Sequence, residues 1–224
     1  MAGDLGVVAL GRMPYGEALT LQRDLAARRI AGTVPRDLLL LVEHPPVITL
    51  GRGFQPQHLS APPAMLAARG IEVHEIERGG DITFHGPGQL VGYPIFDLKG
   101  HRQDLHWFLR QIEAALIVAL DNVGITGQRV PGYTGVWTQD RKLASIGIYV
   151  RQWVTWHGFA LNVTTDLSYF DLIVPCGIPD VQMTSVQREL AERAPRDLWN
   201  RVTDNVMLGF GEVFGMRVQI QEKV

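Results

Sequence analysis

Along the chain the spacing of apolar residues changes repeatedly, and each change predicts an element. Val7–Leu10 is a short apolar run that fits a strand. From Pro14 to Ile30 the spacing turns helical. Ala18, Leu21, Leu25 and Ala26 can share one face, and Pro14 stands near the start, where a missing N–H costs little. Asp37–Glu43 (DLLLLVE) is almost continuously apolar, the pattern of a strand buried on both faces. His44-Pro45-Pro46 stops it. Val47–Leu50 fits another short strand before the turn Gly51-Arg52-Gly53, and Pro63–Arg69 fits a short helix closed by Gly70. Ile71–Ile76 alternates apolar and polar residues, which predicts a half-buried strand. Leu90–Phe96 reads as a strand.

In the second half, Asp104 can cap a long helix over Leu105–Asn122 that stops at Gly124. Val136–Thr138, Leu143–Val150 and Val154–Val163 read as three strands. Asp140-Arg141 and Arg151-Gln152 supply the turns of an antiparallel meander. The stretch around Pro175-Cys176-Gly177 is loop by composition. Asp197–Phe214 closes the chain as a helix and Arg217–Ile220 as a strand. Antiparallel strands mixed with helices, without strict βα alternation, indicate an α+β fold, a mixed sheet with helices on its faces.

Composition narrows the function classes. The chain has 224 residues with a net charge of −2, so no basic field points to nucleic acid. The length suits one domain over residues 1–224, and no Pro/Gly/Ser-rich linker divides it. The longest apolar runs, such as Ala114–Leu120, are too short to span a bilayer. The start MAGDLGVVALGR lacks a basic region followed by an apolar stretch, so a cytoplasmic location is expected. The single cysteine, Cys176, excludes an intramolecular disulfide and a multi-cysteine metal site. His101 and His106 are not at the spacing of a helical zinc pair, and no HExxH occurs, so no metal is expected.

Residues 78–90, RGGDITFHGPGQL, depart most from packing logic. They do not form the dinucleotide fingerprint, because Val91 stands where the third glycine would be, and no Gly-Lys-Ser/Thr makes them a P-loop. Two readings stand at this point. One is a hairpin with glycines in its turns. The other is a main chain that comes close to a ligand, bracketed by Arg78 and His85, with free N–H groups for oxygen atoms. Cys176, between Pro175 and Gly177, is either a small buried hydrophobe or a presented nucleophile. As a nucleophile it needs a cation or base to lower its thiol pKa. Lys142, one of three lysines with Lys99 and Lys223, is a candidate, as are His85 and His157. Each also has a structural reading: a solvated turn charge for Lys142, a satisfied buried histidine for His157.

Several stretches together resemble one family. They are Arg78-Gly79-Gly80-Asp81-Ile82-Thr83-Phe84-His85 with Gly86-Pro87-Gly88-Gln89 and Tyr93, then EHPPVITLGR (Glu43–Arg52), RKLASIGIYV (Arg141–Val150), HGFALNV (His157–Val163) and IVPCGI (Ile173–Ile178). The resemblance is to the LipB family, the octanoyltransferases of lipoate biosynthesis, and spans about Leu38 to Ser185. It implies the α+β fold of the biotin and lipoate protein ligase catalytic domains, related to class II synthetase folds. The implied donor is octanoyl-acyl carrier protein. The implied acceptor is a lysine of a lipoyl domain, as in the glycine-cleavage H protein and the E2 subunits of 2-oxoacid dehydrogenases. Cys176 matches the nucleophile that becomes an acyl-thioester, and Lys142 matches its partner. Arg78–His85, Ser145-Ile146-Gly147 and Gly158-Phe159-Ala160 match the stretches that line the acyl and pantetheine site. No cofactor is implied, and a monomer suffices. The rivals are an ATP-dependent lipoate or biotin ligase, a cysteine hydrolase, and a module that only binds acyl carrier protein.

Overall fold

The computed structural model describes residues 3–222; Met1, Ala2, Lys223 and Val224 lie outside the described residues. In chain order the elements are β1 (Asp4–Arg12), α1 (Tyr15–Ile30), β2 (Asp37–Glu43), β3 (Val47–Leu50), α2 (Pro63–Ala68), β4 (Glu72–Glu75), β5 (Ile82–His85) and β6 (Gln89–Ile95). Then follow α3 (Leu105–Asn122), β7 (Gly135–Thr138), β8 (Arg141–Arg151), β9 (Val154–Asn162), β10 (Gln182–Met183), α4 (Val186–Leu190), α5 (Leu198–Phe214) and β11 (Arg217–Gln221). The large sheet runs β10-β8-β9-β6-β2-β1-β11, with β7 also paired to β8. A second sheet runs β4-β3-β5. Both sheets mix parallel and antiparallel pairs, as an α+β fold does.

β2 shows why the large sheet holds. Leu39 and Leu41 enter the core beneath α3 and α5, while Leu38, Leu40 and Val42 enter the core beneath α1. A strand with a helical layer on each side has no wet face, hence its continuous apolar run. The predicted meander is present as β7-β8-β9, all antiparallel. Asp104 caps α3 by accepting from Trp107 N at 3.0 Å. No helix among the described residues is long and apolar enough to cross a membrane.

Two expectations need correction, and one of the two readings of the glycine run falls. The buried stripe of α1 is Tyr15, Ala18, Leu19, Gln22, Leu25 and Ala26, with Leu21 only at its edge. Gln22 goes inside because its Oε1 accepts from His157 N at 2.9 Å, so a polar residue takes a place that hydrophobicity assigns to leucine. β4 is largely exposed rather than half-buried, because it is an edge strand bonded only to β3. The glycine run is not a plain hairpin. β5 pairs antiparallel with β3 in the small sheet, while β6 pairs with β2 and β9 in the large one. The chain therefore changes sheets at Gly86-Pro87-Gly88.

That crossing sets a testable constraint. Gly88 has φ +78°, and a Cβ there would lie 2.7 Å from the Thr164 carbonyl carbon. Gly88 O also accepts from Val163 N and Thr164 N at 3.1 and 2.9 Å. Gly88→Ala is expected to cost at least about 2 kcal/mol through the left-handed conformation and the main-chain collision. Urea denaturation measures this, and an unchanged midpoint would show that the crossing yields freely.

Candidate active site

Where the two sheets meet, a cavity of about 310 Å³ opens to solvent. β8 and β9 contribute Lys142, Ser145-Ile146-Gly147, His157 and Gly158-Phe159-Ala160; β6 contributes Val91 and Tyr93. The opposite wall is Arg78-Gly79-Gly80-Asp81-Ile82-Thr83 with His85. Cys176-Gly177-Ile178 and Gly132-Tyr133-Thr134 complete it. Of the residues singled out by resemblance, Phe84 alone does not line this cavity. Its side chain points to the other face of β5, stacked on Tyr169 with centroids 4.5 Å apart. The alternation of side chains along a strand requires this once Thr83 and His85 face the cavity. Phe159 turns its ring away into the main core against Phe210.

Lys142 and Cys176 are neighbours. Lys142 Nζ lies 3.3 Å from Cys176 Sγ, and Ser145 Oγ lies 3.5 Å from it. Lys142 is 1% exposed, so the reading of a solvated turn charge fails. Its Nζ sits 4.8 Å from the Trp137 ring centroid, a cation–π contact that helps hold a charge away from water. Cys176 lies in a 3₁₀ turn, Pro175–Gly177, with φ +58°. Burial pushes its thiol pKa up, but the charges of Lys142 and Arg78 and hydrogen bonds from Ser145 and Lys142 outweigh this, and the net shift is downward. The N–H groups of Gly177 and Ile178 already donate to Val174 O and Pro175 O. An oxyanion beside Cys176 must therefore find other donors.

Arg78 is buried and bonded through its terminal nitrogens, to Thr49 O at 2.7 Å, Thr49 Oγ1 at 2.9 Å and Gly79 O at 3.1 Å. Its Nε has no partner among the described residues. Thr49 Oγ1 stands 3.5 Å from His85 Nε2, and His85 Nδ1 meets Gln89 Oε1 at 2.8 Å. Gln89 Nε2 donates to Asn162 Oδ1, and Asn162 Nδ2 to Thr184 O. Thr184 N in turn donates to Lys142 O. This chain ties the glycine run to the lysine strand. Of the candidates for a group beside Cys176, Lys142 is the one in contact with the sulfur, and His85 is bonded to Gln89 and stands by Thr49 instead. Both ring nitrogens are engaged elsewhere, and burial lowers the His85 pKa to about 3, so the ring is neutral.

His157 is likewise buried, but not as a fully satisfied structural residue. It has φ +56°, and its Nε2 lacks a hydrogen bond, standing 3.7 Å from Glu77 Oε2. Glu77 also accepts the Arg23 fork and Trp156 Nε1, and His157 first, with these two, holds its carboxyl far below the usual range. Sequence reasoning missed Tyr15, which lines the cavity from α1 and stacks on His85. It also missed the Gly132–Thr134 loop. Glu113, buried in α3, fixes that loop by accepting from Arg129 Nε and Gly135 N. Neither position carries a local signal.

The junction of the two sheets thus holds a cleft walled by glycine-rich main chain, with a cysteine 3.3 Å from a buried lysine, on a mixed α+β fold. Residues 14–206 match the lipoyl protein ligase A/B catalytic domain. An octanoyltransferase of Acidobacterium capsulatum is 47% identical over 227 residues, covering 96% of this chain and 92% of its own length. One from Gloeobacter violaceus is 48% identical over 209 residues, covering 93% and 90%. A solved lipoate-protein ligase A bound with ATP superposes with a TM-score of 0.77 at 17% identity, over 100% of this chain and 90% of that one, and so shares the fold. The chain belongs to the lipoyl protein ligase A/B catalytic-domain family. Within it, the chain stands with the octanoyltransferases and is an acyltransferase enzyme.

Proposed function

We propose that the enzyme carries an octanoyl group from octanoyl-acyl carrier protein to the lysine amine of a lipoyl domain, through a thioester on Cys176. The step belongs to lipoate biosynthesis, and the acceptor kinds are the H protein and the E2 subunits. The observation that carries this reading is the 3.3 Å contact between Lys142 Nζ and Cys176 Sγ at the wall of the cavity.

The thiolate attacks the carbonyl of the donor thioester. The tetrahedral intermediate collapses, and the pantetheine thiolate leaves with a proton from Lys142. In the second half the acceptor amine attacks the Cys176 thioester, Lys142 takes the amine proton, and Cys176 departs as thiolate. Thioester exchange is close to balanced and amide formation is downhill, so no nucleotide is required. Splitting one transfer into two lowers each barrier. Arg78, held by Thr49, adds a second positive charge facing the sulfur. The Arg78–Thr83 wall and the pairs Ser145–Ala160 and Gly147–Gly158 across β8 and β9 bound the acyl slot. The chemistry is compatible with a single subunit in the cytoplasm.

Intact-protein mass after incubation with octanoyl-acyl carrier protein tests this. Wild type should gain one octanoyl group, which a lipoyl domain then discharges, and Cys176→Ser should gain none. No adduct on wild type would exclude the covalent route.

A further inference from the structure

Cys176 and Gly177 are consecutive left-handed residues, with φ +58° and +65°. For a cysteine this conformation costs about 1–2 kcal/mol, so the turn must be held from outside. The holder is the segment at His58, in a 3₁₀ turn, Pro56–His58. Val174 N donates to His58 O at 2.8 Å, Leu59 bridges Ile173, and Ser60 N and Ala61 N both donate to Leu172 O. The His58 side chain reaches across to the glycine run, where its Nδ1 lies 2.6 Å from Asp81 Oδ2. Asp81 is itself fixed, because its Oδ1 accepts from Ile82 N at 2.7 Å at the start of β5. Gly177 packs directly on the pair. A Cβ there would stand 2.6 Å from Asp81 Oδ2 and 3.1 Å from His58 Cε1. His58 is not among the residues that line the cavity, so it acts through the turn rather than on the acyl group.

We propose that His58, paired with Asp81, is a positioning residue that clamps the Pro175–Gly177 turn and keeps Cys176 Sγ against Lys142 Nζ. The carboxylate can only accept, so Nδ1–H donates, and the bond ties the His58 segment, which holds Val174 N, to the start of β5. This rests on the assignment of Cys176 as the nucleophile.

The test uses the full chain with His58→Phe and His58→Asn, the asparagine amide standing in for Nδ1–H. One reading is single-turnover loading from octanoyl-acyl carrier protein, followed by intact mass. The other is the pH profile of Cys176 alkylation by iodoacetamide. His58→Phe should load about 10²-fold more slowly, as displacement of a reacting group by about 1 Å does. The donor concentration giving half-maximal rate should stay within about twofold, because no donor contact is removed. Its alkylation profile should move to higher pH as the sulfur leaves the lysine. His58→Asn should recover most of both. Unchanged loading and alkylation in His58→Phe would overturn the proposal, and so would a variant that only needs more donor. Should His58→Phe fail to fold, Asp81→Asn, which cannot accept at both carboxylate positions, is judged by the alkylation profile, because Asp81 also lines the cavity: a shift to higher pH supports the clamp and an unchanged profile overturns it. Absence of an adduct on wild type would count against the thioester, while the alkylation profile would still decide the clamp.

Discussion

Lys142→Ala is expected to slow acyl loading of Cys176 by about 10²–10⁴-fold, the range associated with loss of a positioned proton donor. Two effects act together. The thiolate loses its nearest cation, so a larger share of Cys176 is protonated at neutral pH. The departing pantetheine thiolate also loses its proton source. The two are separable. Iodoacetamide needs only the thiolate, so the alkylation profile of Lys142→Ala should shift to higher pH and reach the wild-type rate once the pH is high enough. Acyl loading should stay slow there. Lys142→Arg sharpens the result, because a guanidinium keeps the charge but cannot serve as a base near neutral pH. It should restore alkylation at low pH more fully than transfer to a lipoyl domain. Normal transfer in that variant would remove Lys142 from any proton step.

Acidification is expected to destabilise the protein markedly before its carboxylates titrate. His44 and His85 are both buried and neutral, with pKa values lowered by burial to about 4 and about 3. His44 donates from Nδ1 to Met13 O and accepts from the Tyr93 hydroxyl at Nε2, so its proton inventory is fixed. In the unfolded chain both titrate near 6.5. Below that value the unfolded state binds protons that the folded state refuses. Stability is therefore full above about pH 6.5 and falls as pH drops toward the folded values. Each histidine costs about 1.4 kcal/mol per pH unit in that window, so the pair removes about 4 kcal/mol by pH 5. Against a typical total of about 5–15 kcal/mol this is a large fraction. Denaturant midpoints at pH 7 and pH 5 check it. The double variant His44→Asn, His85→Asn should flatten the dependence, and a flat wild-type curve would refute it.

Much of the fold is legible in the sequence, because the periodicities that define elements act over two to four residues. β2, β3 and α3 have the predicted bounds, and Asp104 and Gly124 mark the ends of α3. The residue types for the proposed thiol-based transfer are legible too, and a thirteen-residue stretch plus four ordered motifs name the family.

What the sequence leaves open is decided between elements. Lys142 and Cys176 are 34 positions apart, and no local pattern brings them together. Only the placement of the 175–178 turn over β8 does. Gln22 takes a buried place on α1 with its Oε1 accepting from His157 N of β9. Phe84 leaves the cavity because pairing with β3 sets which face of β5 it occupies. His58 and Asp81 are 23 positions apart and meet only because the turn after β3 folds back against the start of β5. Local sequence determines which conformations a segment adopts, since backbone sterics and side-chain spacing are short-ranged. Which polar and reactive groups become neighbours depends on how buried surfaces fit, and that is settled only when the two sheets close on each other.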